Sequence, residues 1–530
     1  MADAPRFIYE LDGSFLHYAQ PPISLERFLH ETVGWLAGTQ VDAVSCHMYS
    51  FGSAVPLYPT NIEAARAVYP DNVPTVNIWR AIGNMQAMEA AGVDHWALAV
   101  EAAHGRGLRF WAGMRFNDQH PAEYGLVDRF TTDHPEYRLG DRCAAPALDH
   151  QVEGADTGGC IHLDYSEPAV RAHRLALIEE VCTRYDVDGF DLDFNREGGH
   201  SVPRDKLAGG VQMLTAFVSQ VRDRLIRIGE RRGRPITFFV RVPGTPKACH
   251  DWQLEVERWM SDGLVDALAP SVMYDTTTEL PFDEFVKMAR GTACRVYACP
   301  TEGVGPALYR TPPTEALRAV ALVAWQQGVD GIYLFNFHTS IMENLSRDLQ
   351  VLGELGDPVL MKRRNKLYVV AGVALTYQGQ YFGLEDYSAH PRQLPRDLPV
   401  GGEGVTVRFR VGDDLPAARR DRVLESVTLR LDFLYMTGEE VFDLKINGEP
   451  VPFERCRYRV SDQFDLNLAG MSGHVTAELD LTHHDCILQG INELRLVQTR
   501  RPGEVSQPAV FYVLRLDVRY HLVSLGVAST

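Results

Sequence analysis

A row of acidic and amide side chains stands in the segment Tyr185–His200, which reads YDVDGFDLDFNREGGH. In a β-strand, alternate side chains point the same way, so Asp191, Asp193 and Asn195 would share one face of a strand. The residues between them are apolar and would pack on the other face. Burying two carboxylates so close together raises the free energy of ionising both, which a purely structural strand rarely tolerates. The segment therefore predicts a functional site.

Paired carboxyl groups suit the cleavage of a glycosidic bond, with one as proton donor and the other as nucleophile or base. Asp193 is the predicted general acid, and Glu302, in the loop PTEGVG, is the predicted nucleophile or base. The order of these two roles stays open. Asp191 would raise its neighbour's pKa as a like charge, whereas Arg196 would lower it. An ion pair between Asp191 and Arg241 is an equally acceptable structural role for that carboxylate.

The elements that must position these side chains are eight β-rich runs, which alternate with helical patterns such as 167–185 and 314–328. The runs cover 7–12, 41–52, 108–118, 187–195, 236–244, 265–275, 294–303 and 329–338. Eight βα units in this length predict a (β/α)8 TIM barrel of the α/β class. Asp188, Asp266 and Asp330 open their runs within a Val-Asp pair and are interpreted as turn residues, outside catalysis.

Active sites of such barrels form at the carboxyl ends of the strands. Reading those ends gives polar side chains that include Glu10, Asp12 and Asp118. The predicted substrate contacts among the polar residues are His47, Tyr49, Arg115, Asn117, Asp191, Asn195, Arg196, Arg241, Tyr274, Asp275, Asn336 and His338. Three arginines in this set could bind a carboxylate or sulfate group on a sugar. Ion pairs to neighbouring acids are the simpler explanation of the arginines.

The last third of the chain changes to period-two runs separated by turn residues, which predicts an antiparallel β-sandwich with a hairpin turn at Asn447-Gly448. The predicted domains are a catalytic barrel over 1–355, a linker over 356–400 and a β-sandwich accessory domain over 401–530. The runs LKINGEPV and LQGINELRLVQ resemble the jelly-roll accessory modules of many carbohydrate-active enzymes. A stabilising domain without a ligand is an equally good interpretation.

Composition narrows the classes of partner and the compartment. Hydrophobic residues make up 45% and charged residues 23%, and the net charge of −18 disfavours a nucleic acid or an anionic membrane surface. No apolar run approaches the roughly 20 residues that span a bilayer. The nine cysteines lack a CxxC pair, and the start is not a signal peptide, so we expect a cytoplasmic protein with reduced thiols. A secreted or periplasmic form whose leader has been removed is the alternative that this start leaves open.

The segment DGFDLDFNRE, with the helical stretch before it, resembles the glycoside-hydrolase-like proteins of the family-10-like group. Their strand 4 has the form DGxxxDxxR, which is matched by Asp188, Gly189, Asp193 and Arg196. The segment is also similar to the family 18 chitinase motif DGxDxDxE, although Asn195 stands where that motif has its catalytic acid. The resemblance implies a TIM barrel that acts on carbohydrate. The departure at Asn195 argues against chitinase-type, substrate-assisted chemistry.

Other classes of function are less well supported by the residues. The histidines are isolated, and no glycine-rich nucleotide loop follows a strand, so we expect no metal and no cofactor. A catalytically silent glycan-binding barrel is motivated by Asn195, and a polysaccharide lyase could use Tyr274 or a histidine as base. A sandwich face could also serve a homo-oligomer.

Overall fold

The first two thirds of the chain form a closed barrel of eight parallel strands in sequential order. The computed structural model describes residues 4–50, 54–69, 73, 75–118, 126–140, 162–195, 201–272, 275–301, 303–304, 312–337, 349–371, 393–460, 474–503 and 505–521. The barrel strands are β1 Phe7–Leu11, β2 Ala43–His47, β3 Arg109–Arg115, β4 Gly189–Asp193, β5 Thr237–Pro243, β6 Ala267–Ser271, β7 Arg295–Ala298 and β8 Gly331–Leu334. Each strand lies inside one of the eight predicted runs, so the predicted barrel is confirmed.

Helices surround the barrel and cover the outward-facing apolar side chains of its strands. They are α1 Phe15–Tyr18, α2 Leu25–Thr32, α3 Val76–Ala91, α4 His95–His104, α5 Arg129–Asp133, α6 Pro168–Arg184, α7 Leu207–Arg232, α8 Pro246–Asp251, α9 Val256–Ser261, α10 Phe282–Ala289, α11 Thr314–Gln326 and α12 Pro358–Met361. A further helix, α13 Leu415–Arg420, packs in the core of the second part of the chain. The two helices predicted from the sequence are α6 and α11. None of the described helices combines the length and apolar character needed to cross a bilayer.

The amino ends of the strands, which we call the foot of the barrel, carry a repeated aspartate contact. An aspartate just before each even-numbered strand accepts a hydrogen bond from a backbone N–H of the preceding odd-numbered strand, and its own N–H donates to the carbonyl of that same residue. The carboxylate contacts are Asp42 with Phe7 at 3.0 Å, Asp188 with Phe110 at 2.9 Å, Asp266 with Phe238 at 2.7 Å and Asp330 with Val296 at 2.9 Å. These aspartates lie at the end of the barrel opposite to the predicted site.

The remainder of the chain forms two antiparallel sheets packed around a second core, which confirms the predicted sandwich. Its strands are β9 Lys366–Ala371, β10 Arg396–Leu398, β11 Val405–Val411, β12 Leu424–Leu434, β13 Val441–Ile446, β14 Glu449–Val451, β15 Arg457–Val460, β16 Val475–Asp480, β17 Gly490–Arg500 and β18 Ala509–Tyr520. The predicted hairpin turn joins β13 to β14, with positive φ angles at Asn447 (52°) and Gly448 (85°). Strands β9 and β10 fall within the predicted linker 356–400, and both pair with β18.

Helix α11 joins the barrel to the sandwich. Residues 316–324 of this helix are all buried, and all of them are apolar except Arg318, which pairs with Glu354. Ala319 and Val323 belong to the sandwich core, whereas Leu317 and Ala321 belong to the barrel core. The two parts of the chain therefore share one helix.

Candidate active site

The carboxyl ends of the barrel strands, which we call the mouth, gather most of the described candidate residues. Strand alternation turns Asp191 and Asp193 into the barrel, where both are fully buried, and turns Phe190 and Leu192 outward into the main core. The two faces predicted for this strand are therefore confirmed.

Asp193 forms a bidentate ion pair with Arg241 of the neighbouring strand β5. Arg241 Nε donates to Asp193 Oδ1 at 2.9 Å and Nη2 donates to Oδ2 at 2.7 Å. The guanidinium also lies 3.7 Å from the centroid of the Phe335 ring. Burial opposes the charge of Arg241, but Asp193 outweighs burial and raises the pKa of the guanidinium. The mouth therefore contains a buried, hydrogen-bonded carboxylate with its own counter-charge.

Asp191 has a different environment from Asp193, although it lies two residues away on the same strand. Its Oδ2 accepts hydrogen bonds from Ser45 Oγ at 2.7 Å and from the hydroxyl of Tyr333. Burial raises the pKa of Asp191 to about 7, with a further contribution from the negative charge of Asp193; the two hydrogen bonds only partly oppose this rise. Asp191 does not form the predicted alternative ion pair with Arg241, which pairs with Asp193 instead.

Glu10 and His47 lie beside Asp191 inside the barrel. His47 Nε2 is 3.9 Å from Glu10 Oε1 and 3.9 Å from Asp191 Oδ2, and all three side chains are buried. Burial and then Arg115 lower the pKa of His47 to about 3, so these contacts are not ion pairs at neutral pH. Burial and then Asp12 raise the pKa of Glu10 well above its usual value.

A glycine provides the space for the His47 ring. A Cβ atom on Gly113 of β3 would lie 2.2 Å from His47 Cδ2, closer than any real Cβ contact. The imidazole therefore depends on the absence of a side chain at Gly113.

The described arginines of the predicted anion site are paired with carboxylates of the protein. Arg115 donates to Asp12 and to Asp118, in both cases at 3.2 Å, and Arg241 pairs with Asp193 as above. These contacts agree with the simpler of the two explanations given for the arginines.

Three further candidates contact other parts of the protein rather than Glu10, His47 or Asp191. Asn195 Nδ2 donates to the carbonyl and the hydroxyl oxygen of Ser271, at 2.8 and 2.7 Å. The side chain of Asn117 exchanges two hydrogen bonds with the backbone of Leu163, both at 3.0 Å. The hydroxyl of Tyr49 donates to the carbonyl of Leu177 on α6, away from the mouth.

Asn336 lies next to Glu10. Its backbone N–H donates to Glu10 Oε2 at 2.7 Å, and its φ of 53° is a left-handed conformation that asparagine tolerates better than most residues. Asp275 is partly buried and pairs through its backbone with Val272. The predicted residues Arg196, Tyr274, Glu302 and His338 lie outside the described residues.

The site also contains residues that were not predicted as contacts, namely Glu10, Ser45, Ser271 and Tyr333. Glu10 had a usable signal, since it interrupts the apolar run FIYELD at an inward position. For Ser45 and Tyr333, only the alternation of side chains along their strands predicts that they point into the barrel. Among the described residues, no group of three or more His, Cys, Asp or Glu side chains is arranged to hold a metal ion.

Part of the chain matches a known protein family. Residues 30–202 match the family model described as Glycosyl hydrolase-like 10, a range that includes β2, β3 and β4. No curated protein sequence matches the chain.

Similar solved structures include several glycosidases. An endo-β-1,4-mannanase from Thermotoga petrophila has a TM-score of 0.43 at 11% identity, with 91% of this chain and 92% of that chain covered. The α-L-fucosidase isoenzyme 2 from Paenibacillus thiaminolyticus has a TM-score of 0.41 at 14% identity, with 67% and 48% covered. A family 36 α-galactosidase from Geobacillus stearothermophilus has a TM-score of 0.36 at 12% identity, with 98% and 56% covered. The chain spans about half the length of the fucosidase and the galactosidase. The matched residues 30–202 include β2, β3 and β4 of the closed (β/α)8 barrel. Over these residues the chain resembles the glycosyl hydrolase-like 10 proteins.

Proposed function

We propose that this chain is a glycoside hydrolase that cleaves a glycosidic bond of an oligo- or polysaccharide at the mouth of the barrel. The observation that carries the proposal is the contrast between the two carboxyl groups of β4. Asp193 is paired with Arg241, whereas burial raises the pKa of Asp191 to about 7. Carboxyl groups in such different environments are the pattern from which acid and base roles are assigned.

The ion pair with Arg241 favours one order of the two catalytic roles. A carboxylate held by two guanidinium hydrogen bonds is better suited to act as nucleophile or base than as proton donor. We therefore propose Asp193 for the ionised role and Glu302 for the proton donor. Asp191 would support Asp193 from the adjacent inward position of the strand.

A catalytically silent glycan-binding barrel is the second candidate, and Asn195 favours it. Its amide is hydrogen-bonded to Ser271 and cannot supply the proton that an acid at this position would supply. In this case the mouth would bind a glycan without cleaving it.

The test is a screen of neutral, uronate-containing and sulfated glycans that measures reducing ends, ultraviolet absorbance and binding together. The wild type is compared with Asp193→Asn and Glu302→Gln, and Asp330→Asn at the foot is the matched control. We expect reducing ends from the wild type and the control, and a loss of about 10²–10⁴-fold in both Asp193→Asn and Glu302→Gln.

Each other result would contradict the proposal in a distinct way. Binding without turnover by the wild type would establish the silent barrel. Ultraviolet absorbance of an unsaturated product would identify a lyase. Turnover that survives Asp193→Asn would remove Asp193 from the mechanism.

A further inference from the structure

Four buried side chains at the mouth carry polar atoms that pair with no described residue. The atoms are Glu10 Oε1, Asp191 Oδ1, Asn336 Oδ1 and both ring nitrogens of His47. The side chains are neighbours, because His47 Nε2 lies 3.9 Å from both carboxyl groups and Asn336 N–H donates to Glu10. A buried polar atom without a hydrogen-bond partner is destabilising, so a native site of this kind is expected to hold a ligand group. We call these four residues the carboxyl cluster.

No described cation contacts the two carboxyl groups of the carboxyl cluster, although Arg241 and Arg115 act on them from a distance. His47 is neutral at neutral pH because its pKa is about 3. The nearest guanidinium groups are engaged elsewhere, Arg241 by Asp193 and Arg115 by two other aspartates. Two carboxyl groups with no cation in contact are best matched by a ligand that brings a positive charge.

The atoms without a described partner also indicate what kind of group they would bind. One oxygen of Asp191 already accepts from Ser45 and Tyr333, and one oxygen of Glu10 accepts from Asn336. What remains is one acceptor oxygen on each of three side chains. An ammonium group has three N–H donors, whereas a hydroxyl or a secondary amide has one.

We propose that the carboxyl cluster binds the protonated amine of an amino sugar, so that the barrel takes a glycan with free amino groups. The sugar part of this inference rests on the proposed function. The amine part rests on two observations among the described residues: three oxygens accept no hydrogen bond, and no cation contacts the two carboxyl groups.

Binding of an ammonium group to the carboxyl cluster must release protons. Burial raises the pKa of Asp191 to about 7, so this carboxyl group is largely protonated at pH 6.5 before a cation binds; burial also raises the pKa of Glu10 above its usual value. A bound cation favours their ionised forms and expels those protons. The charged or titratable side chains around Asp191 are Glu10 on β1, His47 on β2, Asp193 on β4, Arg241 on β5 and Tyr333 on β8.

The experiment is isothermal titration calorimetry with three β-1,4-linked tetrasaccharides, built from glucosamine, N-acetylglucosamine or glucose. They differ only in the amine, acetamide or hydroxyl at one ring position. Titrations at pH 6.5 in two buffers with different ionisation enthalpies count the protons released. We expect the glucosamine tetramer to bind about tenfold tighter than the other two, with net proton release. Equal affinities, or amine binding without proton release, would overturn the inference.

Two variants test whether the carboxyl cluster is responsible. Glu10→Gln keeps the shape of the side chain and removes its charge, and should abolish most of the amine preference; Asp191→Asn should act in the same direction if the first variant is poorly folded. The control is Glu257→Gln on α9, an exposed acid on the outer helix layer, which should leave the preference unchanged. Thermal melting checks that each variant is folded. A preference that survives both mouth variants would place the amine site elsewhere and overturn the assignment.

The same data separate this inference from the proposed function. Amine preference without hydrolysis would support the carboxyl cluster and overturn the glycoside hydrolase proposal. Hydrolysis of neutral glycans without amine preference would overturn the carboxyl cluster and leave the hydrolase proposal standing.

Discussion

The foot and the mouth of the barrel both place carboxyl groups at strand ends, but in opposite environments. At the foot, four aspartates accept backbone hydrogen bonds and remain partly in contact with solvent. At the mouth, Glu10 and Asp191 are fully buried, and each has one oxygen that accepts no hydrogen bond from a described residue. Satisfied carboxylates stabilise a fold, whereas buried and incompletely paired ones lower its stability and mark a site of binding or catalysis. The difference separates structural acids from functional ones within one barrel.

The largest stability effect is expected for Asp191→Asn at the mouth. The folded pKa of Asp191 is raised to about 7, so the stability that the protonated carboxyl contributes is full below about pH 4 and is lost as the pH rises through 7. Asparagine does not ionise, so the variant loses no stability between pH 4 and pH 7. Its unfolding free energy should therefore exceed that of the wild type above pH 7 by at most about 4 kcal/mol. Urea unfolding of both proteins at pH 5 and pH 8 measures the change. A stability difference that is the same at both pH values would contradict the assigned environment of Asp191.

Gly113→Ala tests the packing that supports His47. The new Cβ would lie 2.2 Å from the imidazole, and overpacking of this kind costs about 1–3 kcal/mol of unfolding free energy. The loss should largely disappear in a His47→Ala background, because the clashing ring is then absent. Chemical denaturation of the two single variants and the double variant gives the coupling. An equal loss with and without the ring would show that another contact limits this position.

Asp266→Asn at the foot should have the smallest effect and should leave turnover unchanged. The amide oxygen can still accept from Phe238 N–H, but the ion pair with Arg222, at 2.6 Å, is lost. Both partners of that pair are partly exposed, so we expect about 1 kcal/mol of destabilisation. Thermal melting and an activity assay on the same sample check this. A large loss of activity in a folded variant would break the distinction between foot and mouth.

The sequence predicted the fold more completely than the contacts within the site. The β-rich runs between helical patterns located every barrel strand, and period-two alternation placed Asp191 and Asp193 on one face, because both are local properties of the chain. It could not show that the register of β4 and β5 sets Arg241 beside Asp193 rather than Asp191. It also could not show that β9 and β10 of the predicted linker pair with β18, because strand pairing depends on residues far away in sequence.

The burial of α11 on every side has a consequence for protein engineering. The helix is the last of the barrel before β8, yet part of its surface belongs to the core of the sandwich. Gln326 at its end also donates to the carbonyl of Gly412 at 2.6 Å, between β11 and α13. Cutting the chain between barrel and sandwich would expose apolar helix to water. A chimera that moves this sandwich onto another barrel must therefore carry the matching face of α11 with it.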